Sequence, residues 1–227
     1  MLTTEQIIGL DEAHLVEFDG HRLERRTAKA FHSMATAAQS DGIELAIASG
    51  WRGFSRQLAI FNDKAQGRRP VLNENGVPLD IAQLSNADLL DTILLWSALP
   101  GTSRHHWGTD LDIYDKSRIT ATALTLEAWE YEEGGPNHLL HCWLETHMHH
   151  YGFYRPYQQA LGGVAPEPWH LSYWPVSSHC LEKLDVEVLA QTLTHSPIAL
   201  KSALLAQLPA LVERYCWQVA QPPQKPC

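Results

Sequence analysis

Ser103-Arg104-His105-His106-Trp107-Gly108-Thr109-Asp110-Leu111-Asp112 is the most informative stretch of this 227-residue chain. From Thr109 to Tyr114 the residues alternate as on a strand, and a period of two puts Asp110 and Asp112 on the same face. His105 precedes them in a loop opened by Pro100-Gly101. A loop histidine and a strand carboxylate seven positions later can converge on one cation. Only one aspartate need be a ligand; the other would support it or face solvent. Alone, the pattern does not separate a metal site from an ordinary loop.

Two further clusters change that. In Glu167-Pro168-Trp169-His170 a carboxylate and an imidazole stand three apart, and Pro168 removes a ladder donor where the chain must bend to bring them to one side. Three ligands, His105, Asp112 and His170, then leave a fourth position open for water, with Glu167 beside it as base. That is the pattern of catalytic zinc, whereas structural zinc closes all four positions with protein groups. The motif H-E-x-x-H is absent, which excludes the common helical zincin arrangement. The third cluster, Ser49-Gly50-Trp51-Arg52-Gly53-Phe54-Ser55-Arg56-Gln57, follows an expected strand. Its Arg52, between two glycines, can project a planar fork toward a substrate carboxylate or a developing oxyanion.

Around these clusters the chain reads as a mixture of helices and strands. Apolar spacing predicts a helix from about Arg22 to Ser40, then a buried strand over Ile43–Ala48. A helix capped by Ser55 would end at Gly67, residues 68–84 form an excursion or hairpin, and Ser85 caps a helix to about Ala98. Another helix runs from about Asn137 to His150 and is closed by Gly152. Strand-like Phe153–Tyr157, a Gly-rich loop over Leu161–Pro166 and a short strand over Trp169–Trp174 follow. Helices over Asp185–Thr194 and, with Ser196-Pro197 as its start, to about Trp217 complete the chain. Without regular β-α alternation, α+β is the expected class.

Composition narrows the function. Seventeen Lys and Arg against 26 Asp and Glu leave a net charge of −9, which excludes a basic nucleic-acid-binding face. The four widely spaced cysteines offer neither a C-x-x-C pair nor a disulfide framework and read as reduced, with Cys227 on a loose tail. No stretch nears the roughly 20 apolar residues of a membrane span, and the first residues lack the basic start and apolar run of a secretory signal. The sequence as written is therefore expected to be cytoplasmic, with periplasmic or phage-released action left open.

The three clusters, in order, resemble the signatures of VanY-type D-alanyl-D-alanine carboxypeptidases of the M15 group of zinc peptidases, and the similarity spans roughly Arg22 to Trp174. The family's Ser-x-His-x-x-Gly-x-Ala-x-Asp maps onto Ser103, His105, Gly108, Asp110 and Asp112, and its Glu-x-x-His, with Trp before the His, onto Glu167, Trp169 and His170. The resemblance implies a hedgehog/D,D-peptidase-like α+β fold with a central antiparallel sheet flanked by helices. It also implies one zinc ion per chain held by His105, Asp112 and His170, and a peptidoglycan peptide as substrate. Glu167 is then the general base, Arg52 steadies the oxyanion or grips the substrate carboxylate, and Ser103 and Trp169 contact substrate. The expected organisation is a catalytic domain over 1–182, a helical extension over 183–220 and a disordered tail over 221–227.

Position 110 departs from the family, which usually has Ala there. The second carboxylate is open to three readings: added negative charge, a hydrogen bond to a ligand histidine, or contact with a cationic part of the substrate. His106 is expected to point away from the metal. Five histidines (His138, His141, His147, His149, His150) share one expected helix; their spacing allows a second metal, but a solvated helix end is the expected reading. The activity has alternatives too: an L,D-carboxypeptidase or phage-type endopeptidase using the same zinc, or a non-catalytic wall-peptide-binding module.

Overall fold

The computed structural model describes residues 1–222, so Cys227 and all but the first two residues of the expected tail lie outside the described residues. The chain begins with α1 (Thr4–Ile7), a hairpin of β1 (Leu15–Phe18) and β2 (His21–Glu24), α2 (Arg25–Ser40) and β3 (Leu45–Ser49). It continues through α3 (Phe54–Ala65), α4 (Asn86–Trp96), β4 (Asp110–Asp115), α5 (His138–His147), β5 (Phe153–Tyr154) and β6 (His170–Tyr173). Four helices end it: α6 (Trp174–Leu181), α7 (Val186–His195), α8 (Lys201–Ala206) and α9 (Leu208–Val212). The architecture is α+β, as expected.

The central sheet has the order β3-β4-β6-β5, and every neighbouring pair is antiparallel. Its two faces differ in kind. Leu45, Ile47, Leu111, Ile113, Phe153 and Leu171 point to one side and form a core with Phe31 and Met34 of α2 and Leu140 and Leu144 of α5. The alternate residues Asp110, Asp112, Tyr154, His170 and Ser172 are equally buried but polar. A second apolar cluster combines α3, α4 and the C-terminal helices through Phe61, Leu90, Ile93, Leu189, Leu204 and Leu211. Cys142, Cys180 and Cys216 are free thiols, and among the described residues no helix is long and apolar enough to cross a membrane.

Four boundaries differ from the sequence reading, each for a local reason. Residues 22–24, expected as the start of a helix, belong to β2 of a hairpin: Asp19 and Gly20 have φ of 48° and 77° and join Phe18 to His21 in the two-residue turn that a right-twisted hairpin favours. Helix α3 starts after Gly53 rather than Ser55, because the Phe54 N–H finds its acceptor in the Gly9 carbonyl at 2.8 Å. Helix α6 takes up the chain directly after β6, where no helix was expected. The single C-terminal helix is instead broken: α8 begins after Leu200 at φ 55°, and Pro209, lacking an N–H, cannot continue its ladder into α9.

Candidate metal centre and catalytic cleft

The polar face of the sheet becomes a site because register places its residues opposite one another. Asp112 of β4 pairs directly with His170, the first residue of β6, and Asp110 pairs with Ser172. A bulge between Ile47 and Ser49 brings Ser49 opposite Asp112 on the other flank. His105 arrives from a short 3-10 turn over Arg104–Trp107, closed by Gly108 in the left-handed region at φ 67°. A Cβ at Gly108 would stand 2.5 Å from Leu15 Cδ2 and 2.8 Å from the Glu24 backbone nitrogen, so the turn needs glycine for both conformation and space.

His105, Asp112 and His170 each offer a ligand atom, and these atoms lie within 4.8 Å of one another. His105 Nδ1–H donates to the Gly50 carbonyl at 2.9 Å, which leaves Nε2 bare, 3.3 Å from Asp112 Oδ2. His170 Nε2–H donates to Asp110 Oδ1 at 3.0 Å, leaving Nδ1 3.3 Å from Asp112 Oδ1. Asp112 Oδ1 is buried without a hydrogen-bond partner. Two bare imidazole nitrogens facing an unsatisfied carboxylate oxygen are a donor set that fits a divalent ion, and the N/O chemistry suits zinc. Burial opposes ionisation of Asp112, but His105 and His170 hold its carboxyl well below the usual range. Where no cation is bound a proton takes its place at His170: burial disfavours the imidazolium, and Asp110, Asp112 and Glu167 raise its pKa well above the ordinary value.

Glu167 reaches this point through a turn at Pro168-Trp169, in which the His170 N–H donates to the Glu167 carbonyl at 3.1 Å. Its Oε2 stands 3.4 Å from His170 Nδ1. Both line a cleft of about 280 Å³ that also contains Arg52, Lys64, Ser103 and Trp169. Arg52 is clamped by Gln57 Oε1 at 2.9 Å and Ser49 Oγ at 3.2 Å, which fixes its fork. Trp169 shares the cleft wall, its ring 5.8 Å from that of Tyr131. All seven residues singled out in the sequence therefore meet in one cleft.

The VanY family, D-alanyl-D-alanine carboxypeptidase, matches residues 20–176. The chain belongs to this family. It is 25% identical over 158 residues to a D-alanyl-D-alanine carboxypeptidase of Enterococcus faecalis, covering 68% of this chain and 49% of that protein. It is 33% identical over 120 residues to an uncharacterized protein of Haemophilus influenzae, covering 52% of this chain and 92% of that one. Among solved structures, VanYB in complex with D-alanine-D-alanine matches with a TM-score of 0.51 at 23% identity, over 84% of this chain and 87% of that one. The LD-carboxypeptidase LdcB matches with a TM-score of 0.53 at 21% identity, over 76% and 79%. At these identities the two structures share the fold.

Where this VanY-family chain departs from the usual motif, the structure answers the question that Asp110 raised. Its Oδ1 accepts from His170 and from Arg104 Nε at 2.6 Å, and its Oδ2 accepts from the Thr109 hydroxyl at 2.7 Å. Burial pushes its pKa up, and Arg104, His170 and Thr109 overcome this to hold it at about 2. Arg104 is spoken for on its other side by Ser172 Oγ at 2.7 Å and Tyr154 at 3.2 Å, and lies 4.7 Å from the Trp107 ring centroid. Of the three readings, a hydrogen bond to a histidine, His170, is the one observed.

His106 points away from the cluster of His105, Asp112 and His170, as expected. Its Nδ1–H donates to the Arg52 carbonyl and its Nε2 accepts from the Gly101 N–H at 3.0 Å, while burial lowers its pKa to about 3. A neutral imidazole thus ties the loop of Arg52 to the loop of His105. Sequence reasoning missed Lys64, Gln57 and Arg104. Gln57 and Lys64 are one and three turns into α3, on the side that also carries Phe54 and Phe61, and a polar residue at such a position is the available signal. Arg104 gave a signal too, since it precedes a departure in charge at Asp110. The histidine-rich helix gathers no second metal cluster among the described residues; His147 instead stacks on Trp143 with centroids 4.6 Å apart.

Proposed function

We propose that this chain is a zinc-dependent carboxypeptidase that hydrolyses the peptide bond before a terminal D-alanine in peptidoglycan-derived peptides. The observation that carries this reading is the convergence of His105, Asp112 and His170 within 4.8 Å, with Glu167 on their cleft side. Bound by those three residues, one zinc ion per chain supplies Lewis acidity that acidifies water and polarises a peptide carbonyl. Glu167 accepts the proton of the attacking water and returns it to the leaving amine. Arg52, held rigid by Gln57 and Ser49, presents its guanidinium to the oxygen that gains charge. Lys64 supplies a second cation in the same cleft and takes the substrate's free carboxylate, while Ser103 and Trp169 line the peptide's path.

The test is turnover of defined muropeptides by zinc-loaded protein, read by mass spectrometry. Release of D-alanine from peptides ending in D-Ala-D-Ala is the expected result. Turnover confined to tetrapeptides or to cross-linked dimers would move the proposal to L,D- or endopeptidase chemistry. Glu167→Gln should lower kcat by at least about 100-fold while the variant still binds zinc; an unimpaired variant would remove Glu167 from the mechanism.

A further inference from the structure

Glu167 stands in a loop, not in a strand or helix, and a base works only while it is held in place. Its backbone N–H donates to the Tyr157 carbonyl at 2.9 Å, so residues 157–167 form a compact Ω-shaped loop whose ends meet at the cleft. Tyr157 lines the cleft beside Glu167, its ring centroid 4.8 Å from that of His170. The middle of the loop has little of its own to hold it: residues 158–162 are exposed, and Gly162 has φ of 90°. Such a segment opens readily unless something outside it ties it down.

The ties come from two directions. On one side the Ala165 N–H donates to the Leu95 carbonyl of α4 at 2.9 Å. On the other stands a π-helical turn over Glu213–Trp217, a rare form that is frequent at functional sites. Arg214 Nε donates to the Gly162 carbonyl at 2.7 Å, and its Nη1 lies 3.1 Å from Asp91 Oδ2 of α4. The Tyr215 hydroxyl donates to Asp91 Oδ1 at 3.0 Å, so the carboxylate that holds Arg214 is itself fixed. Gly163 packs on the same turn: a Cβ there would stand 2.2 Å from the Arg214 carbonyl oxygen, closer than van der Waals contact allows. Finally, the Ala220 N–H donates to the Pro156 carbonyl at 2.9 Å, just before the loop begins.

Contacts at Pro156, Gly162 and Gly163 thus restrain the loop from which Glu167 emerges, and all of them come from residues 214–220. The family match ends at residue 176, well short of this brace. Arg214 does not line the cleft. Its ion pair with Asp91 is about half exposed on both sides, so it adds little to global stability. We propose that Arg214, backed by Asp91 and Tyr215, is a positioning residue for Glu167, a role that rests on Glu167 being the general base. The turn over Glu213–Trp217 braces the loop that carries this base.

Hydrogen exchange tests the brace without substrate. Arg214→Met keeps the aliphatic stem and removes both bonds; residues 157–167 should exchange at least about tenfold faster, with β4 unchanged. Unchanged protection of the loop overturns the proposal. On a peptide ending in D-Ala-D-Ala, the zinc-loaded full-chain variant should lose about tenfold in kcat with KM within about twofold, because Arg52 and Lys64 lie in other segments. Zinc stoichiometry should stay at the parental value, and its loss would show that the turn supports the metal centre rather than the base. Gly163→Ala, which forces the loop off the turn and leaves the Arg214 side chain in place, should lower kcat at least as much. Adding Arg214→Met to Glu167→Gln should lower the residual kcat by less than about twofold, since a residue acting through Glu167 has nothing left to position. A further tenfold fall, or parental kcat for Arg214→Met beside an impaired Glu167→Gln, overturns the brace alone. An unimpaired Glu167→Gln is the separate failure that removes the base itself.

Discussion

The two faces of β4 are buried to nearly the same degree and do opposite work. Leu111 and Ile113 on one side are fully buried, and so is Asp110 on the other, with Asp112 5% exposed. The apolar side needs nothing beyond close packing against α2 and α5. The polar side depends on its charges being met: Arg104 answers Asp110, and the unpartnered oxygen of Asp112, facing His105 and His170, fits a bound cation. Hydrophobic burial is forgiving and additive, whereas a buried charge network fails as a unit. The site therefore rests on a face whose members cannot be removed one at a time.

The largest effect should come from splitting the buried pair. Arg104→Met leaves the Asp110 carboxylate desolvated with its main countercharge gone, and should cost about 3–5 kcal/mol of stability. Adding Asp110→Ala should recover most of that loss, since neither charge then remains. Denaturant unfolding of the two variants checks it; a single mutant as stable as the parent would show that the pair is not a unit. On the other face, Leu111→Ala should cost about 2–5 kcal/mol through lost contacts and a residual cavity. Zinc stoichiometry of the folded variant should not change, because the Leu111 side chain packs on the face opposite the site. Loss of zinc binding there would break the division between the faces.

That division also explains what was legible in the sequence. The alternation from Thr109 to Tyr114 already encodes both faces, and the three ordered motifs name the ligands, Glu167 and Arg52. Cross-strand register is not written locally: nothing in either segment says that Asp112 stands opposite His170 rather than two residues away. The partner of Asp110 was illegible for the same reason, since Arg104 meets Ser172 and Tyr154 only once β5 and β6 are in place. The Asp19-Gly20 hairpin was a different case. The helical spacing that starts at about Arg22 overran the last residues of β2, because Leu23 is apolar on either reading. Short helices such as α6 offer too few turns for periodicity to register.

The double variant Arg104→Met/Asp110→Ala separates stability from metal binding. His170 Nε2–H loses its acceptor there, so the ring is no longer held with Nδ1 toward Asp112. Zinc affinity should fall about 10–100-fold even as stability returns. Competition with a chromophoric chelator measures it, and parental affinity would reduce Asp110 to a structural counterion.

The smallest effect concerns substrate rather than fold. Burial lowers the Lys64 pKa to about 8, opposed by Glu167 and reinforced by Arg69 and Arg52. Its ammonium is intact below that value and is lost as pH rises through it. If Lys64 takes the terminal carboxylate, KM should rise above about pH 8 while kcat changes less. Lys64→Met should raise KM at neutral pH by about tenfold, the loss of one charge-assisted contact, and should flatten the alkaline rise. Peptides whose terminus is an amide should be indifferent to the substitution. Should the amide and the free acid respond alike, the carboxylate belongs to Arg52, and the division of labour between the two cations is reversed.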